Sequence, residues 1–232
     1  MEKTRSVYPI IVAVDGPAAS GKSSICQTVS ETLSWSYVNT GTIYRAAAKF
    51  VTRSGIAPDN LSSFYPELEK FASEGHWDFK EGTIIFGQHV FSKEDLETEE
   101  TGFVASYVAR DPFLRQILLP LQRNIARSAK NGIILDGRDI ATVVFPDADI
   151  KIYMTASAEA RAKRRLEQLQ NQNKSLTYDV VLKDIQKRDE QDLKIEIAPL
   201  KVADNSVILD TSMITFEEVC QKMIEILKNF KR

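Results

Sequence analysis

The sequence has few of the residues that usually carry metal, disulfide or imidazole chemistry. Its 232 residues include two cysteines and two histidines. Cys26 and Cys220 form no metal-ligand spacing, so we interpret both as buried, reduced thiols. His76 and His89 have no carboxylate partners at ligand spacing, which favours a surface or hairpin position over a catalytic one. The sequence therefore gives no indication of a metal site built on cysteine or of a histidine catalyst.

Long apolar segments and an excess of one charge are also missing. No apolar run approaches the roughly 20 residues that span a bilayer, and residues 1–5 lead into a predicted strand rather than a secretory apolar segment. The 30 basic and 32 acidic side chains give a formal net charge of -2, so no global attraction to nucleic acid or membrane is expected. We predict a monomeric, cytoplasmic protein without nucleic-acid or membrane partners.

Short apolar runs alternate with helical patterns along the chain. This alternation indicates crossover connections and a parallel sheet that is covered on both faces. The sequence therefore predicts an α/β fold with three layers, α/β/α, around a five-stranded parallel sheet. The predicted strands are 10–14, 36–38, 133–135, 150–154 and 207–209. The predicted helices are 22–33, 42–52, 111–129, 158–170, 178–192 and 216–230.

The alternation is interrupted between residues 58 and 106. Two short apolar segments, 77–79 and 83–86, flank the turn residues Lys-Glu-Gly, which is typical of a β-hairpin. We interpret this region as a lobe inserted into the α/β core. We predict that residues 1–57 form the first part of the core and contain a phosphate-binding loop. The lobe then spans 58–106. The rest of the core spans 107–232 and includes a helical lid at about 158–195.

The most specific motif is GPAASGKS, from Gly16 to Ser23, which fits G-x-x-x-x-G-K-[ST] between a predicted strand and a predicted helix. Its glycines permit positive φ, so that backbone N–H groups can surround nucleotide phosphates at the positive end of the helix. We expect Lys22 to reach the β and γ phosphate oxygens and Ser23 to bind Mg²⁺. The predicted nucleotide-binding residues are Gly16, Pro17, Ala18, Ala19, Ser20, Gly21, Lys22, Ser23 and Ser24.

Arginines follow several of the predicted strands. A transfer of a phosphoryl group to a small anionic acceptor needs such cations and a covering lid. We assign Arg45 and Arg138 to an acceptor phosphate, with a solvated or ion-paired role as the alternative for each. Arg161, Arg164 and Arg165 lie on one helical face. They either cover the transferring phosphoryl group or form a solvated charged face.

Together these segments resemble the bacterial cytidylate kinase family, collinearly over nearly the whole chain and including the inserted lobe. The resemblance implies transfer of the γ-phosphoryl group of ATP to CMP or dCMP, with Mg²⁺, giving ADP and CDP or dCDP. The segments that carry it are Val14 to Ser23, Thr40-Gly41-x-x-Tyr44-Arg45, Ser106 with Arg115, Asp136 to Asp139 followed by Thr142 to Pro146, Arg188-Asp189-x-x-Asp192, and Ala198 to Leu200.

The resemblance also implies roles for single residues. Cytosine is expected to meet Ser106, Arg115 and Asp139, and the pentose to meet Arg188 and Asp192. The acceptor phosphate is expected to meet Arg45 and Arg138. The implied catalytic residues are Lys22, Arg138, Arg164 and Arg188. The implied acceptor-binding residues are Thr40, Gly41, Arg45, Ser106, Arg115, Arg138, Asp139, Arg188 and Asp192.

Four positions depart from the pattern of that family. Asn39 stands in place of a usual aspartate, Ala141 in place of a glycine, and Glu97 and Ile195 each in place of an arginine. Loss of two guanidinium groups predicts a slower or less selective kinase. Two alternatives stay open: a kinase of another nucleoside monophosphate, or a nucleotide-binding module with impaired transfer. A GTPase is disfavoured because residues 173–176 lack the aspartate of a base-reading Asn-Lys-x-Asp motif.

Overall fold

The computed structural model describes residues 9–55, 57–78, 83–86, 88–171, 176–193 and 199–230. Packing divides the chain into two compact units, one spanning Ser36–Ile133 and the other combining Ile10–Trp35 with the chain from Ile134 onward. The boundaries of the inserted lobe at 58–106 stay a prediction. Within the described residues, no helix is long and apolar enough to cross a bilayer.

The elements alternate between strands and helices at both ends of the chain, and helices dominate the middle. In chain order they are β1 (Ile10–Asp15), α1 (Lys22–Leu33), β2 (Ser36–Asn39), α2 (Thr40–Arg53), α3 (Tyr65–Glu74), β3 (His76–Asp78), β4 (Thr83–Phe86), β5 (His89–Phe91), α4 (Lys93–Leu96), α5 (Glu99–Val108), α6 (Pro112–Arg127), β6 (Gly132–Gly137), β7 (Ile150–Thr155), α7 (Ala158–Asn171), α8 (Tyr178–Leu193), β8 (Val207–Asp210) and α9 (Phe216–Asn229). A 3₁₀ segment at Pro58–Phe64 precedes α3, and a π-helical turn at Ile140–Val144 follows β6.

The main sheet has five parallel strands in the order β2-β6-β1-β7-β8. Val12 of β1 is paired with Ile150 of β7, and Ile152 of β7 with Val207 of β8. Val12, Ala13 and Val14 have no exposed surface, as expected for a strand covered on both faces. Each buried valine contributes on the order of 1.5 kcal/mol or more. All five predicted strands and the α/β class are confirmed.

Helices α1 and α9 pack against each other beside this sheet. A capping box, in which Thr215 and Glu218 each bond the other's backbone N–H, begins α9. Cys26 of α1 and Cys220 of α9 are both buried, and neither is in a disulfide, which confirms that both are buried cysteines.

Helices α7 and α8 pack against each other. Their shared apolar cluster consists of Ala162, Leu169, Val181 and Ile185, and Ala19 of the phosphate loop packs against this cluster. The same methyl group therefore belongs both to the nucleotide motif and to the core of the helix pair.

In the unit Ser36–Ile133, α2 packs against α5 and α6, and α3 packs against α6. Strands β3, β4 and β5 form a small antiparallel sheet in which His76 pairs with Ile85. The two strands of the predicted hairpin are thus confirmed, while its turn, residues 79–82, lies outside the described residues. His76 and His89 are exposed, as predicted.

An aromatic cluster supports the small sheet. The rings of Phe50 and Phe71 stack with centroids 5.4 Å apart, and Phe64 and Phe91 complete the group. Three of these rings belong to elements between α2 and β5, so the inserted segment contributes its own apolar contacts. The sequence analysis did not predict α3, β5, α4 or α5, which lie wholly or largely in that segment.

Candidate functional site

The phosphate loop connects β1 to α1 through backbone that only glycine adopts readily. Gly21 has φ of 86° and stands at the N-cap of α1, in the left-handed region. At Gly16 a Cβ atom would overlap the carbonyl oxygen of Met154 on the neighbouring strand β7. Ala19, with φ of 57°, holds a left-handed conformation despite its side chain. The predicted loop conformation at the head of α1 is therefore present.

Lys22 lies inside this loop with 5% of its surface exposed. Its ammonium group donates to the carbonyl oxygens of Gly16 and Pro17 at 2.7 and 2.8 Å and to Ser20 Oγ at 3.3 Å. Burial, with a further contribution from the positive charge of Arg138, lowers the pKa of Lys22 to about 7. An anionic phosphate group that binds next to this buried side chain stabilises its charged, ammonium form.

The side-chain oxygen atoms of Ser23 and Asp136 lie side by side next to the loop. The Ser23 hydroxyl donates to Asp136 Oδ2 at 2.7 Å across 113 positions of the sequence. Asp136 ends the buried part of β6 and is 2% exposed. Hydroxyl and carboxylate oxygens are the donors that Mg²⁺ prefers, so the arrangement fits the predicted metal role of Ser23. The sequence analysis did not assign Asp136 to this role, although its place at a strand end was a usable signal.

Asp15, the last residue of β1, anchors the segment that follows β6. Its carboxylate accepts the backbone N–H groups of Ile140 and Ala141 at 2.8 and 2.7 Å. Burial raises the pKa of Asp15 to about 6, against the opposing effect of these two hydrogen bonds. The anchored π-helical turn directly follows Asp139, which is 6% exposed. Ala141, which stands where the family pattern has a glycine, therefore contacts Asp15 through its backbone N–H group.

The three arginines of α7 have different surroundings. Arg161 is buried and forms a two-bond ion pair with Asp189 of α8. Arg164 donates to the hydroxyl and the carbonyl oxygen of Thr211, which follows β8. Arg165 bonds the exposed Gln168. The alternative that Arg161 belongs to a solvated charged face is therefore wrong. The catalytic role of Arg164 stays a prediction.

In the unit Ser36–Ile133, Arg45 of α2 points at the chain between α4 and α5. Its Nη1 atom donates to the carbonyl oxygen of Leu96 at 2.6 Å and to that of Thr98 at 3.5 Å. A Cβ atom on Gly102 would lie 3.1 Å from Nη2 of Arg45. The guanidinium group is therefore held against the backbone of the segment that contains Glu97, whose side chain is exposed.

The same unit brings together the helices that carry the other predicted acceptor residues, since α2 packs against both α5 and α6. Arg115 of α6 donates to the carbonyl oxygen of Ala109 and lies over the ring of Tyr44 at 5.4 Å. Ser106 of α5 is exposed, with its hydroxyl bonded to the carbonyl oxygen of Phe103. Thr40 and Gly41 form the first turn of α2.

The remaining predicted residues lie in the unit that holds the phosphate loop. Arg138 donates to the carbonyl oxygen of Gly137 at 3.2 Å. Arg188 is exposed on α8, and Asp192 belongs to the same helix. Ile195, the departure in the segment after α8, lies outside the described residues.

Comparison with known proteins assigns the chain to a family. The family model for cytidylate kinase matches residues 12–229. The chain belongs to the cytidylate kinase family. It is 38% identical over 217 residues to the cytidylate kinase of Thermotoga neapolitana, with 94% of this chain and 96% of that protein covered.

Two other members of the cytidylate kinase family are similarly close to this chain. The cytidylate kinase of Clostridioides difficile is 38% identical over 215 residues, covering 93% of this chain and 96% of that protein. That of Vibrio vulnificus is 39% identical over 223 residues, covering 94% and 96%. The resemblance seen in the sequence motifs is therefore confirmed.

Proposed function

We propose that the protein transfers the γ-phosphoryl group of ATP to CMP or dCMP, giving ADP and CDP or dCDP. Membership of the cytidylate kinase family supports a nucleotide kinase. The buried Lys22 ammonium group in a phosphate loop is the observation that supports the donor side most strongly. The alternative of a nucleotide-binding module without transfer is not favoured.

The donor triphosphate is held by the loop from Gly16 to Ser24. Backbone N–H groups at the start of α1 and the Lys22 ammonium group face the phosphates. Ser23 Oγ and Asp136, already 2.7 Å apart, would hold Mg²⁺, directly or through its waters. Mg²⁺ held by these two side chains would supply positive charge that offsets the charge of the phosphate oxygens.

The acceptor is recognised by groups that match the polar edge of cytosine. The 4-amino group of cytosine is a donor, and its N3 and O2 atoms are acceptors. We assign Asp139 to the 4-amino group, Arg115 to the acceptors, and Ser106 to the same base. Uracil has an acceptor at position 4 and an N–H at position 3, so each mismatched buried group costs about 1 to 3 kcal/mol.

The acceptor phosphate is assigned to Arg45 and Arg138, and the pentose to Arg188 and Asp192. The acceptor already carries an anionic phosphate oxygen, so no protein base has to remove a proton before attack. The protein therefore acts through positioning and charge neutralisation. A monomeric state and a cytoplasmic location stay predictions.

An acceptor panel tests the proposal. Purified protein with Mg·ATP should form ADP when CMP or dCMP is added and much less when UMP or AMP is added. Absence of CMP-dependent ADP formation at high protein concentration, with ATP bound, would overturn the proposal and favour the binding module. Preference for another nucleoside monophosphate would overturn the assigned acceptor.

A variant at Asp139 tests the base assignment. Asp139→Asn keeps an acceptor oxygen but loses the charge, so kcat/KM for CMP should fall about tenfold to a hundredfold with less effect on UMP. Asp147→Asn, which removes an exposed carboxylate after the π-helical turn, is the matched control and should leave the CMP to UMP ratio unchanged. Equal losses for both acceptors would contradict the role given to Asp139.

A further inference from the structure

Arg161 has none of the exposure expected for a cation that meets a substrate. Its side chain is 5% exposed, and each of its three guanidinium nitrogen atoms donates at least one hydrogen bond. The Nε atom donates to the carbonyl oxygen of Ala156 at 2.9 Å, just after β7. The Nη1 atom donates to the carbonyl oxygen of Ala18 at 3.2 Å, in the phosphate loop.

The other partner of Arg161 lies on α8. Asp189 accepts from Nη1 at 2.8 Å and from Nη2 at 2.6 Å. One planar group therefore joins the loop that receives the donor triphosphate to the helix that carries Arg188 and Asp192. A guanidinium fork is suited to this because it presents donors in fixed directions.

An apolar contact acts in parallel with this polar one. Ala19, the next residue of the loop, packs against the α7–α8 cluster that includes Ala162 and Ile185. Its φ of 57° lies in the left-handed region, which is unfavourable for a residue other than glycine. Such a conformation persists only where its surroundings fix it. The helix pair thus holds two successive loop residues, one through a carbonyl group and one through a methyl group.

We propose that Arg161 is a positioning residue that couples the shape of the phosphate loop to the placement of α8. This inference rests on the proposed function for the meaning of α8, which carries the residues assigned to the pentose. Arg161 keeps the Ala18 carbonyl turned away from the incoming phosphates and holds Asp189. Binding of the donor and ordering of the acceptor-side helix are therefore linked through one side chain.

The test uses ATP binding without any acceptor, measured by fluorescence titration or calorimetry. Asp189→Asn should raise the Kd for ATP severalfold. This effect is indirect, because Arg161 connects Asp189 to the loop. Arg161→Lys keeps the charge but loses the fork, and should raise the same Kd about tenfold, as expected for one lost charge-assisted hydrogen bond. Lys163→Arg, an exposed exchange on the same helix, is the matched control and should leave ATP binding unchanged.

A charge-swapped double variant separates positioning from simple structural support. R161E/D189R can rebuild the ion pair between α7 and α8, so it should recover much of the Tm lost by R161E alone. It places a carboxylate beside the Ala18 carbonyl, so the Kd for ATP should stay weak. Parallel recovery of Tm and ATP binding would show support of the fold alone and overturn the proposal, as would an unchanged Kd in Arg161→Lys and Asp189→Asn.

Hydrogen exchange can be measured on the wild-type protein, so this test does not depend on whether a variant folds. ATP alone should slow amide exchange in α8, and unchanged exchange there would also overturn the proposal. These measurements are distinct from the test of the proposed function. A protein that binds ATP with the predicted coupling but gives no CMP-dependent ADP would contradict the proposed function and leave the role of Arg161 supported.

Discussion

Asp15 offers a stability test with a defined pH window. Burial raises the pKa of its carboxyl group from 3.8 to about 6, while Asp139 acts in the same direction and Lys22 in the opposite one. The folded protein therefore binds this proton more tightly than the unfolded chain does. It follows that the contribution of Asp15 to the free energy of unfolding is fully present below pH of about 4 and falls as the pH rises through about 6.

The size of this effect follows from the two pKa values. The difference between 3.8 and about 6 corresponds to roughly 3 kcal/mol. Asp15→Asn imitates the protonated acid, because an amide also offers one acceptor and one donor group. The free energy of unfolding of Asp15→Asn relative to wild type should therefore increase by roughly 2.4 kcal/mol between pH 4 and pH 7, which is most of the full effect.

Urea unfolding at closely spaced pH values and constant ionic strength provides the measurement. Asp147→Asn corrects for the general effect of removing one carboxylate from the folded protein. Parallel pH profiles for wild type and Asp15→Asn would refute the reasoning. They would mean that the N–H groups of Ile140 and Ala141 offset the burial of the charge more completely than the structure indicates.

Three further substitutions test the phosphate loop and the acceptor side. Lys22→Met should abolish CMP-dependent ADP formation while thermal unfolding stays near that of wild type, and normal turnover would contradict the role of the ammonium group. Gly16→Ala drives a Cβ atom into the Met154 carbonyl oxygen, so a loss of at least about 3 kcal/mol in unfolding free energy is expected, and wild-type stability would refute this. Gly102→Ala displaces the Arg45 guanidinium group, 3.1 Å from the new atom. It should raise KM for CMP without changing the Kd for ATP, and an unchanged KM would count against Arg45.

The parts of the fold that depend on local pattern could be predicted from the sequence. The five strands are bounded apolar runs, and α1 begins at Lys22 and ends at Leu33 as predicted. Helix α5 was missed because its apolar residues do not follow one buried face. Phe103 and Tyr107 on this helix are 74% and 45% exposed, which hides the helical period.

The candidate site likewise has parts that the local sequence predicts and parts that depend on the tertiary fold. Lys22 and Ser23 belong to one continuous motif, so their roles were accessible from spacing alone. The pairing of Ser23 with Asp136 depends on two strand ends that meet across 113 positions. The pairing of Arg161 with Asp189 likewise depends on how α7 packs on α8, which a single sequence does not specify.

The two cysteines make the helix pair α1 and α9 suitable for thiol labelling. Cys26 has no exposed surface, and burial raises the pKa of its thiol well above the ordinary value. The thiolate is the nucleophile that attacks an alkylating reagent, so the buried Cys26 can react only after α1 detaches from its neighbours. The labelling rate thus counts rare openings of the native protein. Because α1 begins at the phosphate loop, ATP that binds only the closed form should slow that rate by a factor of one plus the ratio of the free ATP concentration to its Kd.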